Sequence, residues 1–182
     1  MGANRQYKNS VFSLLFGNPD ALRELYGAIV GVTLDPLVEI EINTLSAVLF
    51  MEFINDLSFI IAGRLVVLIE HQSTFNPNMP LRLLLYIARV YEKITSDDDK
   101  YSVRKIPLPR PEFIVLYNGT DENRPDVEVL KLSDAFVNAT GLSKQGVPPL
   151  ELVVPIYNIN KGRNADMLSR SKTLVEYSGF ID

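Results

Sequence analysis

Cysteine is absent from this chain, and histidine occurs only once, at His71. The lack of cysteine excludes disulfides, thiol nucleophiles and cysteine-based zinc sites. A single histidine also rules out a histidine-rich metal centre. Any metal that binds here must therefore be held by oxygen atoms from carboxylates, amides or the backbone.

Long apolar runs and a basic excess are missing as well. No run approaches the ~18 apolar residues that cross a membrane, and the polar residues 1–6 do not form a signal peptide. We therefore expect a cytoplasmic protein with no membrane partner. The formal net charge is −4, whereas most nucleic-acid-binding proteins are basic. Any face that binds nucleic acid must then be local.

The order of the elements predicts an α/β fold in a single domain over residues 1–182, with a mixed central sheet flanked by helices. Helices are expected over residues 11–16, from Pro19 to Gly31 behind an Asn18 cap, over 77–95, over 129–137 and from Asn164. Strands are expected over residues 38–42, 112–117 and 150–157, and the ambiguous run 45–53 is expected to feed the sheet. The sheet-facing side of helix 77–95 is predicted to carry Leu81, Leu84, Leu85, Ala88 and Tyr91.

The central feature is a predicted hairpin over residues 55–72, with its turn at Ala62-Gly63. Asp56 opens the first strand and Glu70 closes the second, so the two carboxylates meet at one end of the sheet. A two-residue turn would place them on opposite faces, because side-chain direction alternates along a strand. A three-residue loop with Gly63 in the left-handed conformation places them on one face, and we predict this loop because a divalent cation would account for two carboxylates and an amide placed together.

Two carboxylates on one face, with Gln72 beside them, predict a site for a divalent cation. Mg²⁺ prefers oxygen ligands and is usually held by one or two carboxylates together with water and substrate phosphate. The predicted ligands are Asp56, Glu70 and the backbone carbonyl near His71.

Arg82, Tyr86, Arg89 and Lys93 follow at spacings that place them in one stripe of the long helix. One interpretation is a wall that contacts DNA phosphates, in which Arg82 offers a forked donor. The other is an ordinary solvated face. Both stay open for Arg82 and Tyr86, which lie nearest the predicted cation site, whereas the solvated face is favoured for Arg89 and Lys93.

The segments 55–59 (NDLSF), 69–74 (IEHQST) and 78–82 (NMPLR) resemble the PD-(D/E)XK nuclease superfamily, and in particular its recombination-promoting nuclease and putative transposase branch. The likeness continues through residues 113–119 and 157–160. It implies a restriction-endonuclease-like core and a DNA endonuclease that depends on Mg²⁺ or Mn²⁺. Asp56 and Glu70 would then hold the metal, and Gln72 would position the attacking water.

The resemblance carries three further expectations. The third motif position is often Lys, so Gln72 removes a positive charge from the site. In many relatives an acidic residue of the first helix reaches the metal, which makes Glu24 a candidate, with a solvated surface glutamate as the alternative. Similar family members continue beyond the point that corresponds to Asp182, where DNA-binding or partner surfaces would lie.

Two classes of function follow. The first is a metal-dependent DNA endonuclease that hydrolyses phosphodiester bonds in transposition or recombination. The second is a catalytically inactive relative that uses the same scaffold to bind DNA or protein. DNA is the expected partner, and a homodimer stays open beside a monomer.

Overall fold

The structure is a computed structural model that describes residues 11–42, 56–121, 123–137 and 146–181, with Asp56 described by its backbone. Its helices are α1 (residues 11–16), α2 (Pro19–Val30), α3 (Met79–Ile94), α4 (Asp97–Lys100), α5 (Ala165–Leu168) and α6 (Lys172–Ile181). Its strands are β1 (Ile40–Ile42), β2 (Asp56–Ile61), β3 (Leu65–Gln72), β4 (Arg110–Tyr117), β5 (Val127–Lys131) and β6 (Val153–Asn158). A 3₁₀ turn spans Leu132–Ala135.

The strands form one six-stranded mixed sheet in the order β1-β2-β3-β4-β6-β5. The central strands β3, β4 and β6 are parallel, and the β1–β2, β2–β3 and β5–β6 pairs are antiparallel. The parallel β3–β4 pair is joined through α3, which is the crossover that such pairs require. The predicted α/β fold, a mixed sheet flanked by helices, is confirmed and is consistent with a restriction-endonuclease-like core.

Helices cover both faces of the sheet, and each face has its own apolar core. On one face, Val67 and Ile69 pack with residues of α1, α2 and α6. On the other face, Val66 and Leu68 pack with residues of α3. Since side chains of a strand alternate between faces, the even-numbered positions of β3 face α3 and the odd-numbered positions face α1 and α6. This alternation decides which helix each polar residue at the end of β3 meets.

Helix α2 begins and ends as its sequence predicts. The Asn18 side chain accepts a hydrogen bond from the Ala21 N–H at 3.0 Å, Pro19 occupies the first helical position, and Gly31 ends the helix in the left-handed conformation. The long predicted helix and the strand before residue 118 are also confirmed, with bounds that shift by a few residues.

The hairpin loop has three residues, as predicted. Ile61 pairs with Leu65, and the loop consists of Ala62, Gly63 and Arg64. Gly63 has φ of 64°, in the left-handed region. The register therefore pairs position 56 directly with position 70 and places both on the same face of the sheet.

Two sequence predictions are wrong. Residues 129–137 were expected to form a helix, but residues 127–131 form β5, because this short alternating run pairs with β6. The sheet-facing side of α3 is also rotated from the predicted one, and of the predicted residues Leu84 and Tyr91 pack, partly buried, against the apolar core on this face. The buried residues of α3 are Met79, Pro80, Leu83, Tyr86, Ile87 and Val90. Leu81 and Leu85 are about half exposed, since a helix rich in leucine on every side leaves its orientation to tertiary packing.

The expectation for residues 45–53 lies outside the described residues. Over the part of the chain that the structure describes, no helix is both long enough and apolar enough to cross a membrane.

Candidate functional site

Glu70 is a buried carboxylate on the α3 face of the sheet. Its side chain is 5% exposed, and it forms an ion pair with Arg82 of α3, with 2.9 Å between Oε1 and Nη1. The Gln72 amide nitrogen donates a second hydrogen bond to the same oxygen at 3.1 Å. The other oxygen, Oε2, is buried without a hydrogen-bond partner among the described residues. A lone acceptor of this kind is costly to bury unless something binds it.

The oxygen of Gln72 is in the same situation. Its Nε2 donates to Glu70 and contacts the sulfur of Met79, which fixes the amide so that Oε1 is buried without a partner in the described chain. Glu70 and Gln72 lie two positions apart on β3 and therefore share a face. The predicted grouping of Gln72 with Glu70 is thus present in the structure.

Burial changes the pKa of the Glu70 carboxyl group. Desolvation raises the pKa of Glu70 above the ordinary value for glutamate, and it outweighs the opposing effects of the Arg82 charge and of the hydrogen bonds from Gln72 and Arg82. The raised pKa means that the fold disfavours the ionised carboxylate in the absence of a further positive charge. A cation next to Oε2 would remove this penalty.

Arg82 overlooks the site from the first turn of α3, as predicted. Besides its ion pair with Glu70, its Nη2 donates a hydrogen bond to the Tyr86 hydroxyl at 2.9 Å. The Arg82 side chain is 27% exposed, so part of the guanidinium reaches solvent, whereas Tyr86 is only 6% exposed. Tyr86 is therefore better placed to hold Arg82 than to contact DNA phosphate, which was one of its two predicted roles.

Only the backbone carbonyl of His71 is positioned to take part in the candidate site, because its side chain lies elsewhere. Its ring lies on the opposite face, with ring centroids 5.5 Å from Phe12 and 5.4 Å from Tyr177. The carbonyl of Gln72 accepts a hydrogen bond from the Asn118 N–H at 2.9 Å, so the Gln72 carbonyl points toward β4. Because successive carbonyls of a strand point in opposite directions, the His71 carbonyl points toward β2, where position 56 lies.

Glu24 does not join this site. It is exposed on α2, a helix that packs on the face of the sheet opposite α3. There it lines a surface cleft together with Asp20, Arg23 and Arg170. The alternative interpretation, a solvated helix glutamate, describes its position.

Ser58 belongs to the site and was missed by sequence reasoning. It pairs with Leu68, so it lies on the α3 face two positions from Asp56 and diagonal to Glu70. It is 2% exposed, and its hydroxyl oxygen has no hydrogen-bond partner in the described residues. A serine within an apolar strand carries no sequence pattern that distinguishes it, although its position two residues after Asp56 indicates the shared face.

A tight junction between β3 and the end of β4 supports this edge of the site. A Cβ atom on Gly119 would overlap the Tyr117 hydroxyl and lie 2.6 Å from the Ser73 carbonyl oxygen, so only glycine fits. The Asn160 amide donates to the Gly119 carbonyl at 2.8 Å and ties the end of β6 to the same junction. The junction therefore connects the ends of the three parallel strands next to Gln72.

The residues present fit a hard cation. Buried oxygens without partners come from a carboxylate, an amide and a hydroxyl, at Glu70, Gln72 and Ser58, and the register adds position 56 opposite Glu70. All of them are oxygen donors, which suit Mg²⁺ or Mn²⁺. Among the described residues no three His, Asp or Glu side chains gather as a metal cluster.

Comparison with known proteins gives one match. Residues 43–162 match the model of a family described as "Putative transposase, YhgA-like", and these residues are more than half of the chain. They contain the whole hairpin, α3 and the strands β4, β5 and β6. No curated protein and no solved structure matches the chain. The chain therefore belongs to the YhgA-like putative transposase family, which indicates a transposase- or nuclease-like role.

Proposed function

We propose that this chain is a cytoplasmic DNA endonuclease that depends on Mg²⁺ or Mn²⁺ and hydrolyses phosphodiester bonds. The observation that carries the proposal is the register of the hairpin, which pairs position 56 with Glu70 and places Gln72 on the same face. The oxygens of Glu70, Gln72 and Ser58 add to it, because they are buried, have no hydrogen-bond partner among the described residues and are the hard donors that such a cation prefers.

Each residue has a distinct role in this proposal. Asp56 and Glu70, with the His71 carbonyl, would hold the cation. When bound, the cation would acidify a water molecule and stabilise negative charge on the phosphate. Gln72 would orient that water, because its amide is fixed on the nitrogen side by Glu70 and presents its oxygen to the site. Arg82 would contact the phosphate from the wall of the site.

Nicking of a supercoiled plasmid tests the proposal. The purified parent is incubated with Mg²⁺, with Mn²⁺ or with EDTA, beside the variants Asp56→Ala and Glu70→Gln. We expect nicking with either metal, no nicking with EDTA, and a loss of about 100-fold or more in both variants. Glu24→Gln is the matched control, since it removes an exposed carboxylate on the opposite face and should leave nicking unchanged.

The second candidate function is binding of DNA or protein by a catalytically inactive member of the same fold. The net charge of −4 and the uncharged amide at Gln72 favour it, because both weaken binding of phosphate. In that case the parent would bind DNA or protein but would not nick the plasmid with either metal. The oligomeric state, for which the sequence leaves a homodimer open beside a monomer, is a separate question that sedimentation velocity tests through the mass of the particle in solution.

A further inference from the structure

Two of the contacts that Arg82 makes with described residues hold its guanidinium in different ways. Glu70 attracts one guanidinium nitrogen as an ion pair at 2.9 Å, and the hydroxyl of Tyr86 accepts a hydrogen bond from the other at the same distance. Tyr86 is buried in the core beneath α3, so it is a fixed anchor. Arg82 itself has four rotatable side-chain bonds and is partly exposed, so its charged end has room to move while this anchor stays in place.

The ion pair conflicts with cation binding at the same carboxylate. Arg82 and Gln72 already contact Glu70 Oε1, and Oε2, which has no partner among the described residues, belongs to the same charged group. A divalent cation at Oε2 would satisfy the charge of Glu70 and would also repel the nearby guanidinium. Both effects weaken the hold of Glu70 on Arg82.

We propose that Arg82 exchanges partners during the reaction cycle. Without metal it neutralises the buried Glu70, and when a divalent cation takes over that role it turns to the phosphate of bound DNA, with Tyr86 guiding its movement. This inference rests on the proposed function and adds to it a coupling, in which cation binding releases the arginine that binds DNA. The step is a change of ion-pair partner and involves no bond making or breaking.

Metal affinity gives the first test, because the exchange predicts that substitution of Arg82 raises the affinity for Mn²⁺ and lowers plasmid nicking. Calorimetric titration with Mn²⁺ should show binding about tenfold tighter in Arg82→Gln than in the parent, since a competing positive charge is removed. Plasmid nicking by the same variant should fall. Arg82→Lys keeps the charge and should leave Mn²⁺ affinity near that of the parent. Weaker or unchanged Mn²⁺ binding in Arg82→Gln would overturn the exchange.

Arg89→Gln is the matched control. Arg89 lies seven residues further along α3, beside Leu85 and Leu108 in a groove outside the site, and its loss changes the net charge by the same amount. It should alter neither Mn²⁺ affinity nor nicking. An effect of Arg89→Gln equal to that of Arg82→Gln would show that overall charge, and not the contact with Glu70, determines the metal affinity.

DNA affinity without metal gives the second test and separates the two proposals. In EDTA, Glu70→Gln should raise the affinity for a short DNA duplex about tenfold, because it releases Arg82. This rise should be absent when Glu70→Gln is introduced into the Arg82→Gln variant. An equal rise in both backgrounds would overturn the inference. If the parent binds no Mn²⁺, the proposed function fails. The comparison of Glu70→Gln in the two backgrounds still decides whether the ion pair with Glu70 keeps Arg82 from binding DNA.

Discussion

Glu70 differs, at the scale of one residue, from the carboxylate of an ordinary buried ion pair. A buried carboxylate whose purpose is stability is expected to have both oxygens satisfied. Here Arg82 and Gln72 share one oxygen, the other has no partner among the described residues, and burial still raises the pKa. The fold therefore buries a carboxylate oxygen that a bound cation would satisfy.

The raised pKa predicts how stability depends on pH in the absence of metal. Between the ordinary pKa of glutamate and the raised pKa of Glu70, the folded protein keeps a proton that the unfolded chain has released. Stability due to this group is therefore full below that window and is lost as the pH rises through it. Glu70→Gln keeps the shape without the charge, so it should raise the melting temperature at about pH 8 and have little effect near about pH 4.

Thermal denaturation of parent and variant in EDTA at the two pH values measures this effect. A higher melting temperature of Glu70→Gln than of the parent at the higher pH, and equal melting temperatures at the lower pH, are the expected results. If Glu70→Gln melts below the parent at the higher pH, the carboxylate is stabilised by its ion pair and the interpretation of Glu70 is wrong.

Gln72 makes the second prediction at this scale. A neutral amide orients water through its hydrogen bonds but cannot supply the charge of lysine. Gln72→Lys should keep or raise DNA cleavage, whereas Gln72→Ala should lower it by about 10- to 100-fold with nearly unchanged affinity for Mn²⁺. Single-turnover cleavage and calorimetry measure the two quantities separately. Equal cleavage by Gln72→Ala and the parent would remove Gln72 from the mechanism.

At the scale of elements, the hairpin was predictable from sequence and the orientation of α3 was not. Turn residues between two apolar runs predicted the hairpin. They allowed two loop lengths, and the three-residue loop that pairs position 56 with Glu70 was chosen because a divalent cation would account for the grouped carboxylates. Helix α3 contains leucine on all sides, and the sheet buries Leu83 while it leaves Leu81 and Leu85 about half exposed. The sequence pattern alone does not select one side of such a helix.

The same contrast holds for the site. The carboxylate, the amide and the arginine were found because charged and amide groups at strand and helix ends stand out from apolar surroundings. The burial of Tyr86 followed from the unpredicted rotation of α3, and the contribution of Ser58 depended on the observed burial of its hydroxyl. The exclusion of Glu24 depended on which face of the sheet α2 covers, and local sequence does not determine that.

The junction at Gly119 gives a prediction at the element scale. Gly119→Ala adds a Cβ atom against the Ser73 carbonyl oxygen and the buried Tyr117 hydroxyl, so the ends of β3 and β4 must separate. We expect a loss of about 1–3 kcal/mol in the free energy of unfolding, measured by chemical denaturation. Gly179→Ala is the control, because an added Cβ there meets nothing within 4 Å and alanine favours helix α6. A loss as large in Gly179→Ala would contradict the packing argument.

At the scale of the whole molecule, the charge balance limits how DNA binds. With a net charge of −4, the chain does not attract DNA as a whole, so affinity must come from local groups such as Arg82 near the site. A cation at Glu70 would reverse the local potential where the phosphate binds. Family membership and fold agree with a transposase- or nuclease-like role, and the proposed function adds to it a DNA contact that depends on a metal.

Thermal stability in the presence of metal tests the central claim most directly. A ligand that binds only the folded state stabilises it by about 2.7 kcal/mol at 100 times its dissociation constant, so millimolar Mg²⁺ or Mn²⁺ should raise the melting temperature of the parent by several degrees. Asp56→Ala should abolish the rise, and Glu24→Gln should keep it. An unchanged melting temperature in the parent, together with no heat of binding in calorimetry at the same metal concentration, would contradict a cation site at Asp56 and Glu70.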